Sequence, residues 1–264
     1  MANFIIKSKI PNGNHILEIE RNTKIPDTTK NNILKFNTIQ NANFSVVGLV
    51  KACAEDIANK FPGIDHSLLE NASVILSKTI SGLTASLWWT SFRTFCSCTD
   101  WMIAHSINVA MLSTIIAVKS KEQSENQYRI CLGALLHDIG KLLIPKEIVQ
   151  KPGKLSEKEI SIMRRHCEIG YYVAQRINLP NDSADIVLQH HERMDGSGYP
   201  QCITADRIPR FSRIVMIADS IDAITSLRPY KDAENSKTGV DILLSEKSKF
   251  DPYYIGILLQ CLRT

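Results

Sequence analysis

The stretch Gly133-Ala134-Leu135-Leu136-His137-Asp138-Ile139-Gly140-Lys141 decides how the rest of this 264-residue chain is read. An apolar run ends on a histidine and an aspartate, and glycine and lysine follow. Polar groups at the edge of a core must each find a partner. Lys141 comes four residues after His137 and three after Asp138, so on a continuing helix all three share a face.

Outward from this point the pattern is helical from about residue 92 to the C-terminus. Apolar periodicity predicts helices over Asp100–Lys119, Gln127–Leu142, Glu157–Ile177, Ser183–Arg193, Phe211–Leu227 and Ser236–Leu244, with a last one after Pro252. Towards the N-terminus, Val46–Phe61 and His66–Ser81 read as amphipathic helices divided by Pro62-Gly63. Phe4–Ile10 and His15–Ile19 read as short strands around the turn Pro11-Asn12-Gly13-Asn14. The expected architecture is mainly α. A small N-terminal module of strands plus helices, residues 1–91, precedes a helical domain, residues 92–264. The module carries no legible chemistry and suits sensing, docking to a signalling partner, or simple packing.

Composition narrows the function classes. The chain is 44% hydrophobic and 22% charged, with a formal net charge of +4. That small excess is spread along the chain and forms no basic tail or stripe, which excludes nonspecific binding of duplex nucleic acid. The seven cysteines are an odd number, and Cys96 and Cys98 form C-x-C rather than a paired C-x-x-C motif, so reduced core thiols are expected. No N-terminal run resembles a signal peptide. The most apolar stretch, Ile107–Val118, is too short to span a bilayer and contains Asn108, Ser113 and Thr114. A cytoplasmic protein without membrane insertion is expected.

Five of the seven histidines, His105, His137, His166, His190 and His191, fall between residues 105 and 191. Each lies beside apolar residues. His105 shares a helical face with Val109, Leu112 and Ile116, and His166 a stripe with Met163, Gly170, Val173 and Ile177. Five separately satisfied core histidines is a strained reading, whereas one shared metal centre takes the lone pairs of all five as neutral imidazoles. Asp138 and Asp219 belong with them. Asp219 sits in Ile217-Ala218-Asp219-Ser220, where an unpaired carboxylate would be costly. Histidine and aspartate, with no cysteine in the set, favour iron, manganese, nickel or zinc. A bridging carboxylate holds two ions roughly 3.5–4 Å apart, the spacing used for in-line attack at phosphorus.

The residues also match a family. His137-Asp138-Ile139-Gly140-Lys141 resembles the HD-x-GK signature, and His190-His191-Glu192-Arg193-Met194-Asp195-Gly196-Ser197-Gly198-Tyr199-Pro200 resembles HHE-x-x-DG-x-GYP. Together they resemble the HD-GYP family of bacterial cyclic di-GMP phosphodiesterases. The likeness runs from about Asp100 to the C-terminus and includes Asp219-Ser220-Ile221-Asp222-Ala223 and Arg228-Pro229-Tyr230-Lys231. It implies an HD-type helical bundle with extra helices, two divalent metal ions and a cyclic dinucleotide substrate. By resemblance the metal ligands are His105, His137, Asp138, His166, His190, His191 and Asp219, with Asp138 bridging. Lys141 would assist at the phosphate, and Arg228 and Lys231 would hold it. Gly198, Tyr199 and Pro200 would shape the pocket. Some members bind a third metal through a Glu four residues before the first histidine. Here that position is Trp101, so two ions are expected, and the carboxylates Asp100 and Glu192 are expected in N-cap or surface roles.

Overall fold

In the computed structural model, helix α3 (Asp100–Lys119) is the axis on which the other elements are assembled. The structure describes residues 46–83, 100–226 and 234–262. Met102, Ile103, Ile107, Met111, Leu112, Ile115 and Ile116 point in every direction around α3, and all are buried. A helix apolar all round has to be covered all round. It is covered by α1 (Val46–Lys60), α2 (His66–Leu83), α4 (Ser124–Leu136), α9 (Arg210–Thr225) and α11 (Pro252–Leu262). Each such side chain removed from water contributes about 1.5–3 kcal/mol.

The periphery is completed by α5 (Lys146–Val149), α6 (Glu157–Arg164), α7 (His166–Arg176), α8 (Asn181–Gln189) and α10 (Ser236–Ser245). The chain is mainly helical, as expected. Among the described residues the only extended pairing is an isolated bridge between Asp195 and Thr204. The strands expected over Phe4–Ile10 and His15–Ile19 lie outside the described residues. Helices α1 and α2 belong to one compact unit that runs from Phe44 to Thr264, and Leu49, Ile57, Leu76 and Ile80 join the same core as α3.

Two expected helices are each broken. Gln127–Leu142 is α4 ending at Leu136, a turn through His137 and Asp138, and a 3-10 segment at Ile139–Leu143. Glu157–Ile177 is α6 and α7, separated at Arg165. Both breaks have one cause. The backbone of Gly140 lies directly against α7: a Cβ at Gly140 would fall 1.9 Å from the carbonyl oxygen of His166 and 2.6 Å from the amide nitrogen of Gly170.

The apolar stretch Ile107–Val118 is part of a longer apolar window. Within α3 the window Met102–Lys119 is long and apolar enough to cross a bilayer by length and composition, but 83% of it is buried against other helices. Its hydrophobicity is explained by the core it organises.

Candidate metal centre

The breaks that sequence periodicity missed build the site. His105 projects from the second turn of α3. His137 and Asp138 occupy the turn after α4, His166 begins α7, His190 and His191 follow α8, and Asp219 lies within α9. Six of these seven are buried, with His105, His137, Asp138, His166 and His190 at 3% exposure or less; His191 is partly exposed.

The histidines are oriented from behind. The Nδ1–H of His137 donates to the Ala134 carbonyl at 2.7 Å, and that of His166 to the Met163 carbonyl at 2.7 Å. His190 Nδ1 faces the Ile186 and Val187 carbonyls at 3.2 and 3.0 Å. His105 Nδ1 donates to Asp222 Oδ2 at 2.6 Å. An imidazole that spends its proton in this way presents the Nε2 lone pair forwards. These lone pairs converge: His166 Nε2 and His190 Nε2 are 3.3 Å apart, and Asp138 Oδ1 lies 3.3 Å from His166 Nε2 and 3.8 Å from His190 Nε2. The other carboxylate oxygen, Oδ2, lies 3.3 Å from His137 Nε2 and 3.8 Å from His105 Nε2. Asp219 spans both sides, with Oδ1 3.2 Å from His105 Nε2 and Oδ2 3.6 Å from His191 Nδ1.

This is a collection of acceptors facing acceptors. His137 Nε2 and Asp138 Oδ1 are buried with no hydrogen-bond donor, a condition that costs about 1–3 kcal/mol per group if left uncompensated. Cations supply what the set lacks. Two overlapping groups have the reach to hold one: Asp138 with His166, His190 and His191, and Asp138 with His105 and His137. The donors therefore fit a metal centre, and Asp138 is common to both halves.

Electrostatics points the same way. Burial pushes His166 down to about 4. Burial, reinforced by neighbouring imidazoles, also holds His190 and His191 well below the usual histidine range. These rings are neutral donors at neutral pH. Burial alone would raise the Asp138 carboxyl, but the Lys141 ammonium and the His137 ring hold it well below the usual carboxylate range. His137 goes the other way, because Asp138 outweighs the effect of burial. The negative charge that raises His137 also attracts a divalent cation.

Lys141 is not on the helix of His137. It lies on the 3-10 segment, yet the three-residue spacing still brings Nζ to 2.5 Å from Asp138 Oδ2. Tyr199 stands beside the histidines, its ring centroid 4.7 Å from that of His191, and the Arg164 guanidinium lies over the same ring, 4.9 Å from its centroid. Tyr199, Pro200, Arg164 and Arg165 border a cavity of about 530 Å³, a volume within the range of small-molecule sites. A Cβ at Gly198 would fall 2.4 Å from the backbone of Glu192 and Arg193, so this loop folds back on itself more closely than any larger residue permits. Arg228 and Lys231 lie outside the described residues, as does the side chain of Trp101.

Three residues were misread or passed over. Glu192, expected in an N-cap or surface role, is fully buried. Its carboxylate accepts from the amides of Gln201 at 2.6 Å and Ile203 at 3.2 Å, which makes it the clamp of the Gly198-Tyr199-Pro200 loop. Asp222 is 1% exposed and orients His105, a role legible from the same apolar-helix argument that singled out Asp219. Cys167 brings sulfur near the set after all, with Sγ 3.5 Å from His166 Nε2. Burial pushes this thiol well up, so it stays protonated. The other buried thiols behave alike, Cys53 being pushed up to about 12 and Cys131 to about 11.

The chain belongs to the HD domain family, whose model matches residues 93–253. Within it, the His190–Pro200 signature agrees with the HD-GYP resemblance. The chain is 42% identical over 141 residues to the cyclic di-GMP phosphodiesterase response regulator RpfG of Xanthomonas campestris, a match covering 52% of this chain and 37% of that protein. It is 44% identical over 130 residues to a cyclic di-GMP phosphodiesterase of Thermotoga maritima, covering 48% and 35%. It is 40% identical over 128 residues to the 3'3'-cGAMP-specific phosphodiesterase 2 of Vibrio cholerae, covering 47% and 24%. The chain thus spans about a third or less of the length of these relatives. Among solved structures, Bd1817, an HD-GYP-type protein of Bdellovibrio bacteriovorus, shares the fold with a TM-score of 0.55 at 18% identity, over 83% of this chain and 71% of that one.

Proposed function

We propose that this chain is a metal-dependent phosphodiesterase that hydrolyses a cyclic dinucleotide, cyclic di-GMP foremost, to pGpG or GMP in bacterial second-messenger signalling. The observation that carries the reading is the pair of buried histidine sets sharing Asp138. When bound, two divalent ions, iron or manganese foremost and nickel or zinc also compatible with the donors, supply Lewis acidity and charge to the scissile phosphate.

The chain's own residues do the rest. His105 and His137 serve one side of Asp138, His166, His190 and His191 the other, and Asp219 faces both. Lys141, held against Asp138, keeps that carboxylate ionised and places a positive charge where phosphate charge develops. Arg228 and Lys231 orient the second phosphate, and Gly198, Tyr199 and Pro200 wall the pocket. A signalling protein is the candidate partner of the N-terminal module, residues 1–91, and the setting is cytoplasmic.

Under this reading Arg228→Ala raises KM about 10–100-fold with little change in kcat, since a charged hydrogen bond contributes about 1.5–3 kcal/mol of binding. Steady-state kinetics with an unchanged KM would remove Arg228 from the substrate site.

Relatives acting on 3'3'-cGAMP motivate a second reading, the same chemistry on the mixed dinucleotide. Turnover of cyclic di-GMP and 3'3'-cGAMP is compared side by side in anaerobic ferrous or manganous buffer, with product identification and metal analysis. Faster turnover of cyclic di-GMP is expected. Bound metal with hydrolysis of neither would sink the enzyme reading in favour of a non-catalytic signalling adaptor.

A further inference from the structure

Helix α1 precedes the residues that the HD domain family model matches, yet it reaches the back of the metal centre. His105 donates through Nδ1 to Asp222 Oδ2 at 2.6 Å. The other oxygen of Asp222 accepts from Asn108 Nδ2 at 3.1 Å and from Ser226 Oγ at 2.8 Å. Lys60, the last residue of α1, closes the arrangement. Its Nζ donates to Ser226 Oγ at 2.8 Å and lies 3.6 Å from Asp222 Oδ1. One turn earlier on α1, Asp56 pairs with Lys60 at 2.5 Å and accepts from Asn108 at 3.0 Å. Two residues of α1 thus complete a ring around a carboxylate that is itself 1% exposed.

A carboxylate buried this deeply needs a cation and a full set of donors to stay in one place. Among the described residues, the matched domain offers Asp222 neutral donors and His105 itself, whereas the full positive charge comes from Lys60 of α1. Outer partners of this kind fix the tautomer and ring direction of a metal-facing histidine, and their loss typically costs 10–100-fold in metal affinity. We propose that Lys60 is a positioning residue for His105. Through Asp222 and Ser226 it sets the affinity of the His105–His137–Asp138 half of the centre, so that the seating of α1 governs metal loading. The inference rests on His105 being a ligand, as in the proposed function, but not on which phosphodiester is cleaved.

The test is anaerobic titration of the full chain, stripped of metal, with Mn²⁺, following the free ion by electron paramagnetic resonance. His105→Ala first identifies the binding step that belongs to this half. Lys60→Met is expected to weaken that step 10–100-fold and leave the other within about threefold, and Lys60→Arg to restore most of it. Ser226→Ala, which removes the hydroxyl between Lys60 and Asp222 and adds no bulk, is expected to weaken the same step alone and serves if Lys60→Met does not fold. A purely structural role would weaken both steps together. Both steps unchanged in Lys60→Met, or in Ser226→Ala where that variant serves, would overturn the proposal, as would equal losses in the two. Should the parent chain bind two ions and hydrolyse no cyclic dinucleotide, the enzymatic reading fails while this one stands; should His105→Ala leave both steps intact, the ligand assignment beneath it fails first.

Discussion

Replacing Asp138 with alanine is expected to remove both metal ions together and to lower turnover by about 10³-fold or more. The size of the effect follows from the position of one carboxylate. Oδ1 faces His166 and His190 at 3.3 and 3.8 Å, while Oδ2 faces His137 and His105 at 3.3 and 3.8 Å. Removing any one histidine leaves one half of the centre whole, but removing Asp138 takes a ligand from each half and the negative charge from both. Electrostatic stabilisation of phosphate chemistry by metal ions amounts to several kcal/mol, and each 1.36 kcal/mol is a factor of ten in rate. The loss is compounded at Lys141, whose Nζ lies 2.5 Å from Asp138 Oδ2 and would be left beside imidazoles without its counter-charge. Asp138→Asn separates the contributions: it preserves the shape and one acceptor oxygen, and is expected to retain partial metal with much reduced turnover. Metal content by elemental analysis and turnover by chromatography are the two readouts. Both ions retained at the parental rate in Asp138→Ala would show that this carboxylate does not bridge.

The convergence of these histidines and aspartates was legible in the sequence because burying an unpartnered polar group is expensive. His105 on an apolar helix face and Asp219 between Ala218 and Ser220 each needed an explanation, and one shared centre was the reading that met both. The same argument applied three residues further on would have recovered Asp222. Glu192 defeated it for a different reason. Glutamate is rarely buried, and the partners that bury this one are backbone amides at Gln201 and Ile203, which no side-chain pattern announces. Lys60 is further still from view: its partner Ser226 is 166 positions away, and an amphipathic helix ending in lysine is ordinary. The helix breaks at His137 and Arg165 were hidden because apolar periodicity runs through both. Periodicity reports which residues face a core, whereas the breaks come from one backbone pressing on another.

That backbone contact underlies the second large effect, expected from Gly140→Ala. The added Cβ would lie 1.9 Å from the His166 carbonyl oxygen, 2.8 Å from its carbonyl carbon and 2.6 Å from the Gly170 amide. None of these atoms is the free end of a flexible side chain, so the clash can be relieved only by moving α7 or the 3-10 segment away by more than an ångström. His166 is the first residue of α7 and moves with it, away from Asp138 and His190, each of which it now meets at 3.3 Å. Overpacking of this kind costs about 1–3 kcal/mol and occasionally more, a large part of the 5–15 kcal/mol that holds a typical domain folded. The variant is expected to unfold several degrees below the parent and to lose the ion held by His166, His190 and His191 while keeping measurable affinity at the His105–His137 side. Asp138→Ala, by contrast, strips both halves. Thermal unfolding of the metal-free chains, followed by Mn²⁺ titration, separates the two variants. Parental unfolding temperature and two-ion binding in Gly140→Ala would mean that the close approach of Gly140 to α7 does not set the position of His166.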